Sequence, residues 1–364
     1  MIYLDHAAST PLRPEVKAAM DPWLGAEGGN PSSLHAAGRR ARRAVEDARE
    51  RVAGRLGVDP KEIVFTSGAT ESNTLAILGA AEALRAKGDH LVTTAIEHPC
   101  VLDAFRRLES SGFRVTRVAP GADGIVRAQD VVAALTPRSV LVSVMAVNNE
   151  TGAIQPVEEI RRLLPSGVLL HSDAAQAVGK LPFDAGSADL VAFSAHKMQG
   201  PKGVGGLVVR KGVPLVPLFG GGGQEFERRA GTENVAGIVG LAEALVLASP
   251  ATLGGRLERG LLAIPGAVLN GPALRAPHLV NVSWEGVDGE AAVLALDAEG
   301  VCVSSGSACA SGGTEPSHVL LSMGRPKARA KEGLRFSLSP FTTEAEVDGA
   351  VQAVRRVVER LRKR

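Results

Sequence analysis

Four side chains in the sequence have the type and setting to do chemistry: Lys197, Asp173, Arg335 and Cys309. Lys197 lies in Ser194-Ala195-His196-Lys197-Met198-Gln199-Gly200-Pro201, between two apolar runs, 188–193 and 204–209, that each read as a buried strand. A lysine in a loop leaving a strand can be desolvated, which lowers its pKa and makes the amine a nucleophile; the alternative is a solvated loop cation. Asp173 closes the run Val168-Leu169-Leu170-His171-Ser172-Asp173, another strand pattern. Neighbouring parallel strands end at one crevice, where ligands bind.

An amine and a carboxylate meeting there suit pyridoxal phosphate, which needs a lysine for its Schiff base and an acid to keep its pyridinium nitrogen charged. Asp173 could equally close an Asx turn or cap a helix. Ile63-Val64-Phe65 reads as a strand, and Thr66-Ser67-Gly68-Ala69-Thr70-Glu71-Ser72 turns from it into a helix reaching Leu84. Free N–H groups and the positive dipole end at such a turn bind phosphate, although Ser67 or Thr70 could simply cap the helix. Cys309 sits in Val303-Ser304-Ser305-Gly306-Ser307-Ala308-Cys309-Ala310-Ser311-Gly312-Gly313, small and polar, so it is expected to be exposed and mobile, as a reactive thiol or an incidental surface one. Cys302, between two valines, is expected to be buried and structural, and Cys100, opening an amphipathic helix, to pack. Arg335 alternates with apolar neighbours in Leu334-Arg335-Phe336-Ser337-Leu338 and therefore faces inward, needing either a substrate carboxylate or a structural Asp or Glu.

The elements that must position these groups alternate. Helix 34–56 carries Leu34, Ala37, Ala41, Val45, Ala48, Val52 and Leu56 at three- and four-residue steps, with Arg39, Arg40, Arg42 and Arg43 on a solvated face. Strand 91–94, a helix from Pro99 to about 108, strand 113–119, helix 128–135, strand 139–147, helix 156–164 and the Asp173 strand follow. The 139–147 run is apolar throughout, as in a parallel sheet buried on both faces, and ends on Asn148-Asn149-Glu150. Residues 219–225 read as a mobile glycine-rich loop and 234–247 as a helix. The stretch 248–255 reads as a domain boundary. Strand 278–284, helix 289–298, strand 301–305, helix 317–323, strand 333–338 and helix 343–362 then form a smaller α+β unit. The expected division is a large domain, 16–249, and a small one made of 1–15 and 250–364 that carries the cysteine loop. The fold class is α/β with a mostly parallel sheet.

Composition narrows the function classes. The 364 residues are 45% apolar, enough for a sizeable core, with only 3% aromatics, so Leu, Val and Ala must fill it. A formal charge of +2 gives no long-range pull toward nucleic acid or membrane, and no apolar run is long enough to span a bilayer. Met1–His6 turns acidic and polar within five residues, unlike a signal peptide. Three cysteines form no paired framework, and no metal-spaced pair occurs, so a reducing cytoplasm is expected.

Tyr3-Leu4-Asp5, Gly29-Asn30-Pro31-Ser32-Ser33, Thr66–Ser72, Asn148-Asn149-Glu150, His196-Lys197 with Gly200-Pro201-Lys202-Gly203, Ala230-Gly231-Thr232 and Ser304–Cys309 stand in an order that resembles the NifS/IscS-type cysteine desulfurases of the class V aminotransferases, over nearly the whole chain. The serine-rich run before Cys309 is similar to the IscS/NifS branch rather than the SufS branch. The resemblance implies a homodimeric fold-type I pyridoxal-phosphate enzyme that turns L-cysteine into L-alanine and a persulfide on Cys309. A sulfur acceptor such as an iron–sulfur scaffold would take that sulfur.

On the matching positions the resemblance makes Lys197 the Schiff-base lysine, Asp173 the partner of the pyridine nitrogen and His98 the residue stacked on the ring. Gln176 would bond the phenolic oxygen with Asn149 beside it. Ala69, Thr70, Ser194 and His196 would hold the phosphate, and Thr232 would reach the phosphate of the other subunit. Asn30 and Arg335 would hold the substrate carboxylate. Cys309 would be the sulfur acceptor, touching metal only as a transient cluster ligand, and His98 is a candidate to activate it. Ala195 and Pro340 stand where relatives often have glycine, away from the chemistry. The chain ends soon after the last helix, whereas relatives that dock a scaffold use a C-terminal tail.

Overall fold

The computed structural model describes residues 1–25, 27–306 and 315–363; Cys309 lies outside them. In chain order the elements are β1 (Ile2–Tyr3), α1 (Pro14–Leu24), α2 (Ala36–Leu56), β2 (Ile63–Thr66), α3 (Ala69–Leu84), β3 (His90–Thr94), α4 (Pro99–Ser110), β4 (Arg114–Val118), α5 (Ala128–Ala133), β5 (Ser139–Ser143), α6 (Val157–Leu163) and β6 (Leu169–Asp173). They continue with β7 (Leu190–Ser194), β8 (Gly205–Val209), α7 (Val235–Leu247), α8 (Gly254–Leu262), β9 (Ala267–Leu269), β10 (Leu279–Trp284), α9 (Gly289–Asp297), β11 (Val301–Cys302), α10 (His318–Ser322), α11 (Lys327–Ala330), β12 (Gly333–Ser337) and α12 (Glu344–Arg362).

Seven strands form the main sheet in the order β2-β8-β7-β6-β5-β3-β4. All neighbours pair parallel except β8, which runs against both β7 and β2. Six strands therefore deliver their C-terminal ends to one edge of the sheet. The strands β2, β3, β5, β7 and β8 are buried at every residue, as uniform apolar runs require when helices cover both faces. Aromatic rings are scarce, so Phe193 is packed against bare backbone: a Cβ at Gly206 would collide with its ring. A second core surrounds the antiparallel sheet β12-β10-β9 and the parallel pair β1–β11. It joins Leu4 to Leu257, Trp284, Leu334, Phe336 and the α12 residues Val347, Val354 and Val358.

Several local expectations need correction. Helix α2 begins at Ala36, and Leu34 lies outside it, 89% exposed. The helix is nucleated instead by the His35 side chain, which accepts from Gly38 N, and it stops at Gly57 in the left-handed region (φ 69°). Strand β5 ends at Ser143; residues 144–147 stay buried, and Val144 N and Ala146 N still donate to His171 O (3.0 Å) and Asp173 O (2.9 Å) beyond it. The run 301–305 keeps only two strand residues, and Cys302 is half-buried because β11 pairs with β1 alone. The glycine-rich loop is anchored at its end: Glu225 is buried and accepts from both terminal nitrogens of Arg49 (2.9 and 2.8 Å) and from Phe65 N (2.7 Å). Glu225, Phe226 and Glu227 hold positive φ (48°, 59°, 64°), a costly backbone that this buried ion pair sustains. Helices α1 and α8 and the short strand β9 went unanticipated. Pro14 at its first turn and internal Pro22 disguise α1, and the glycine pair 254–255 makes the start of α8 read as linker.

Candidate active site

The strand ends enclose a cavity of about 440 Å³. Lys197 and Asp173 both border it, as do Ala69, Thr70, His98, Asn149, Gln176, Ser194, His196 and Arg335. Asn30 and Thr232 do not. Asn30 is exposed, and its side chain accepts from Ser32 N (2.9 Å), closing its own loop; Thr232 is exposed on the turn before α7.

Asp173, the last residue of β6, is held by two donors: Asn73 Nδ2 to Oδ2 (2.7 Å) and Ala175 N to Oδ1 (2.9 Å). Because Asn73 must turn its nitrogen to the carboxylate, its oxygen faces His171 Nε2 (3.0 Å), which is therefore the protonated ring nitrogen. His171 Nδ1 is then an acceptor for Ser143 Oγ (2.8 Å). Burial alone pushes the His171 pKa down to about 3, so the ring is neutral. The chain Ser143–His171–Asn73 is fully buried and has one consistent set of donors, which aims a fixed carboxylate into the cavity. Sequence reasoning missed Asn73 and His171 because a buried asparagine inside a helix carries no local signal.

Lys197 follows β7 in a short 3₁₀ turn, and its amine donates to Ala7 O (2.7 Å) and Ala8 O (2.8 Å). The N-terminal segment clamps this turn further: Thr10 Oγ1 donates to His196 O (2.8 Å) and accepts from Gln199 N (2.7 Å). Burial, then the neighbouring Lys197, Lys180 and Lys202, bring His196 down to about pKa 4.

His98 caps α4, with Pro99 at the first helical position. Its Nδ1 accepts from Cys100 N (3.2 Å), which places the proton of the neutral ring on Nε2. Cys100 Sγ lies 3.0 Å from the same nitrogen, and burial foremost, then Asp173, raises this thiol to about pKa 12. Cys100 thus packs as expected, yet it also borders the cavity as a protonated thiol. Burial lowers the pKa of His98, with Asp173 opposing and Lys197 reinforcing the shift.

At the head of α3, Gly68 adopts φ 152°, where no side chain fits comfortably, and its carbonyl accepts the hydroxyl of Thr66 (3.2 Å). Gly68 has no side chain to cap this helix, and Ala69 and Thr70, whose first-turn N–H groups lack intrahelical partners, border the cavity. Gly205 on β8 is required behind it, since a Cβ there would lie 2.6 Å from Gly68 Cα. Glu71 also borders the cavity; burial opposes its charge, but hydrogen bonds from Arg229 (2.9 Å) and Ser67 N (2.8 Å) outweigh that and keep its pKa low.

Arg335 has the structural acid that was one of its two alternatives. It pairs with Asp5 (2.8 Å) and donates to Asn149 O (3.0 Å), yet it borders the cavity, and its buried Nε has no partner among the described residues. Gln176 is committed on both sides, donating to Ala7 O (3.0 Å) and accepting from Lys180 (2.6 Å).

A carboxylate aimed at the cavity from a polar network, an amine across from it, an imidazole and an uncapped helix head make a donor set that fits pyridoxal phosphate. Residues 2–349 match the model of the aminotransferase class-V family. A cysteine desulfurase IscS of Dictyoglomus turgidum is 43% identical, with 99% of this chain and 95% of that protein covered. A cysteine desulfurase of Trichormus azollae is 45% identical, with 100% and 94% covered. Among solved structures, a NifS-like protein superposes with a TM-score of 0.91 at 36% identity (98% and 99% covered). One described as SspA in complex with cysteine gives 0.86 at 38% identity (94% and 100% covered).

Proposed function

Because the chain belongs to the class-V aminotransferase family, we infer that it works as a pyridoxal-phosphate-dependent cysteine desulfurase. The reaction joins L-cysteine and an enzyme thiol to give L-alanine and an enzyme persulfide, with atoms balanced on the two sides. The observation that carries this reading is Lys197 and Asp173 bordering one cavity of about 440 Å³, with the head of α3 opening into it.

When bound, the cofactor would supply an electron sink conjugated to the substrate amine. The protein's residues do the rest. Lys197 would be the attachment point, and its amine, when free, the base for the substrate α-proton. Asp173, fixed by Asn73, keeps the pyridine nitrogen protonated. The N–H groups of Ala69 and Thr70, with Ser194 and His196, bind the phosphate. His98 would lie against the ring, its neutral imidazole carrying the proton on Nε2. Gln176 keeps a second amide N–H for the phenolic oxygen, with Asn149 beside it. Arg335 takes the substrate carboxylate through the edge that Asp5 leaves open, and Asn30 assists from its loop. Thr232 reaches the phosphate in the other copy of a homodimer, and the cores on either side of residue 250 act as the large and small domains. Cys309 receives the sulfur and passes it to an acceptor such as an iron–sulfur scaffold, with the cytoplasm as the setting.

The test is mass spectrometry of the peptide carrying Cys309 after incubation with L-cysteine. One extra sulfur, with alanine released, is expected. Alanine formation without that sulfur, or activity surviving Cys309→Ala, would favour a lyase for another small amino acid.

A further inference from the structure

Lys180 is a buried amine with no part in the reaction described above. It is 8% exposed, and its Nζ donates to Gln176 Oε1 (2.6 Å). Burial disfavours an amine where a methionine of similar size would pack without penalty, so the contact with Gln176 must supply something that packing cannot. Both residues stand in the turn after β6. Val178 N donates to Ala174 O (2.9 Å) and Leu181 N to Ala177 O (3.0 Å), so the chain winds helically there, with Gly179 left-handed (φ 75°) just before Lys180.

Gln176 is buried and borders the main cavity. Its amide has two ends of opposite character, and either an oxygen or an N–H could face a ligand. Two contacts decide between them. Ala7 O can only accept, so Nε2 is the atom that faces it (3.0 Å). Lys180, as an ammonium or as a neutral amine, donates to the other end. The two constraints agree, and they leave Nε2 one further hydrogen to offer. Ala7 O alone is a weaker guide, because the same carbonyl also accepts from the Lys197 amine (2.7 Å). Without Lys180 the buried Oε1 would lose its donor and turn toward one in the cavity, since a buried acceptor left unmatched is costly.

Resting on the reading of this cavity as a pyridoxal-phosphate site, we propose that Lys180 is the positioning residue for Gln176: by holding Oε1, it makes Gln176 present a donor, never an acceptor, to the phenolic oxygen of the cofactor. The role does not depend on the charge of Lys180. Burial foremost, then Lys197 and Arg335, lower its pKa, yet either protonation state has an N–H for Oε1. The consequence is selectivity. A ligand with an ionised oxygen at that place gains a charge-assisted hydrogen bond, and one without the oxygen gains nothing.

The experiment compares the dissociation constants of pyridoxal phosphate and its 3-deoxy analogue, which lacks the phenolic oxygen. It uses the full chain as wild type, Lys180→Met, Gln176→Ala and the double variant, and reads binding from the absorbance of each bound aldehyde rather than from turnover. Lys180→Met is expected to cut the wild-type preference for the phenolic aldehyde about tenfold while leaving affinity for the analogue unchanged. Adding Lys180→Met to Gln176→Ala is expected to change nothing further, because a residue that acts through another is silent once that other is gone. Equal weakening of both aldehydes would make Lys180 a packing residue. A loss of preference that persists without Gln176 would make it a direct electrostatic one. Either result overturns the proposal, as does no change in any variant. Should Lys180→Met not fold, neutron diffraction from the wild-type holoenzyme decides. Deuterons on the Gln176 atom facing Ala7, with a Lys180 deuteron aimed at Oε1, are expected, and an oxygen facing Ala7 overturns the proposal. A wild type that takes up neither aldehyde would sink the reading of the cavity instead, which separates the two failures.

Discussion

The two walls of the cavity are built differently. On the Asp173 wall, Ser143, His171, Asn73 and Asp173 form one buried chain whose donors and acceptors admit a single arrangement. On the Arg335 wall the contacts are less complete. The guanidinium leans on Asp5 and on the Asn149 carbonyl, its Nε is unmatched among the described residues, and nearby Glu150 leaves one buried oxygen unpartnered. The contrast separates two tasks. On the proposed function, the group that would hold the cofactor's ring nitrogen is locked from behind, whereas the group that would take and release a carboxylate keeps an open edge.

That comparison can be broken by substitution. Asp173→Ala should have the largest effect. Removing one partner of a buried charged contact costs about 3–5 kcal/mol, so kcat should fall by about two to four powers of ten while the visible band on Lys197 persists in altered form. Asn73→Ala leaves Asp173 one donor short, and a hydrogen bond to a charged group is worth ~1.5–3 kcal/mol, so kcat should fall about 10- to 100-fold with KM little changed. A KM effect instead would mean that the Asp173 wall also handles substrate. On the other wall, Asp5→Asn should raise KM about fivefold with kcat nearly constant, the equivalent of ~1 kcal/mol of orientation. A fall in kcat there would erase the division between the walls.

Acid sensitivity sharpens the same point. His171 has a folded pKa of about 3 against an ordinary 6.5, so the unfolded chain binds its proton first as pH falls. Stability is therefore unaffected above about 6.5 and declines below it, by roughly 1.4 kcal/mol per pH unit for this group until the folded pKa is reached. Thermal melts from pH 7 to pH 5 should show at least that slope, and His171→Gln should make it shallower by about that amount.

The chemistry-bearing loops were legible in the sequence because each sits at the end of an apolar run: Asp173 after 168–172, Lys197 after 188–193, and Ala69 and Thr70 after 63–65. The parallel sheet followed from the same runs. The supporting layer was not legible. Asn73 and Lys180 read as ordinary helix and turn residues, and only the fold brings them to Asp173 and Gln176. Nor did the N-terminal turn, whose Ala7 and Ala8 carbonyls hold the Lys197 amine, announce itself, since backbone oxygens carry no residue signature. Asn30 and Thr232 share the cause of their distance from the cavity: both lie on exposed turns that a second copy of the chain would have to bring inward.

Borohydride reduction of the cofactor-loaded protein followed by peptide mapping tests the central claim most directly. A single cofactor-tagged peptide, modified at Lys197, is the predicted result. Tagging at the neighbouring Lys180 or Lys202, or no tag on a protein that still releases alanine from L-cysteine, would contradict it.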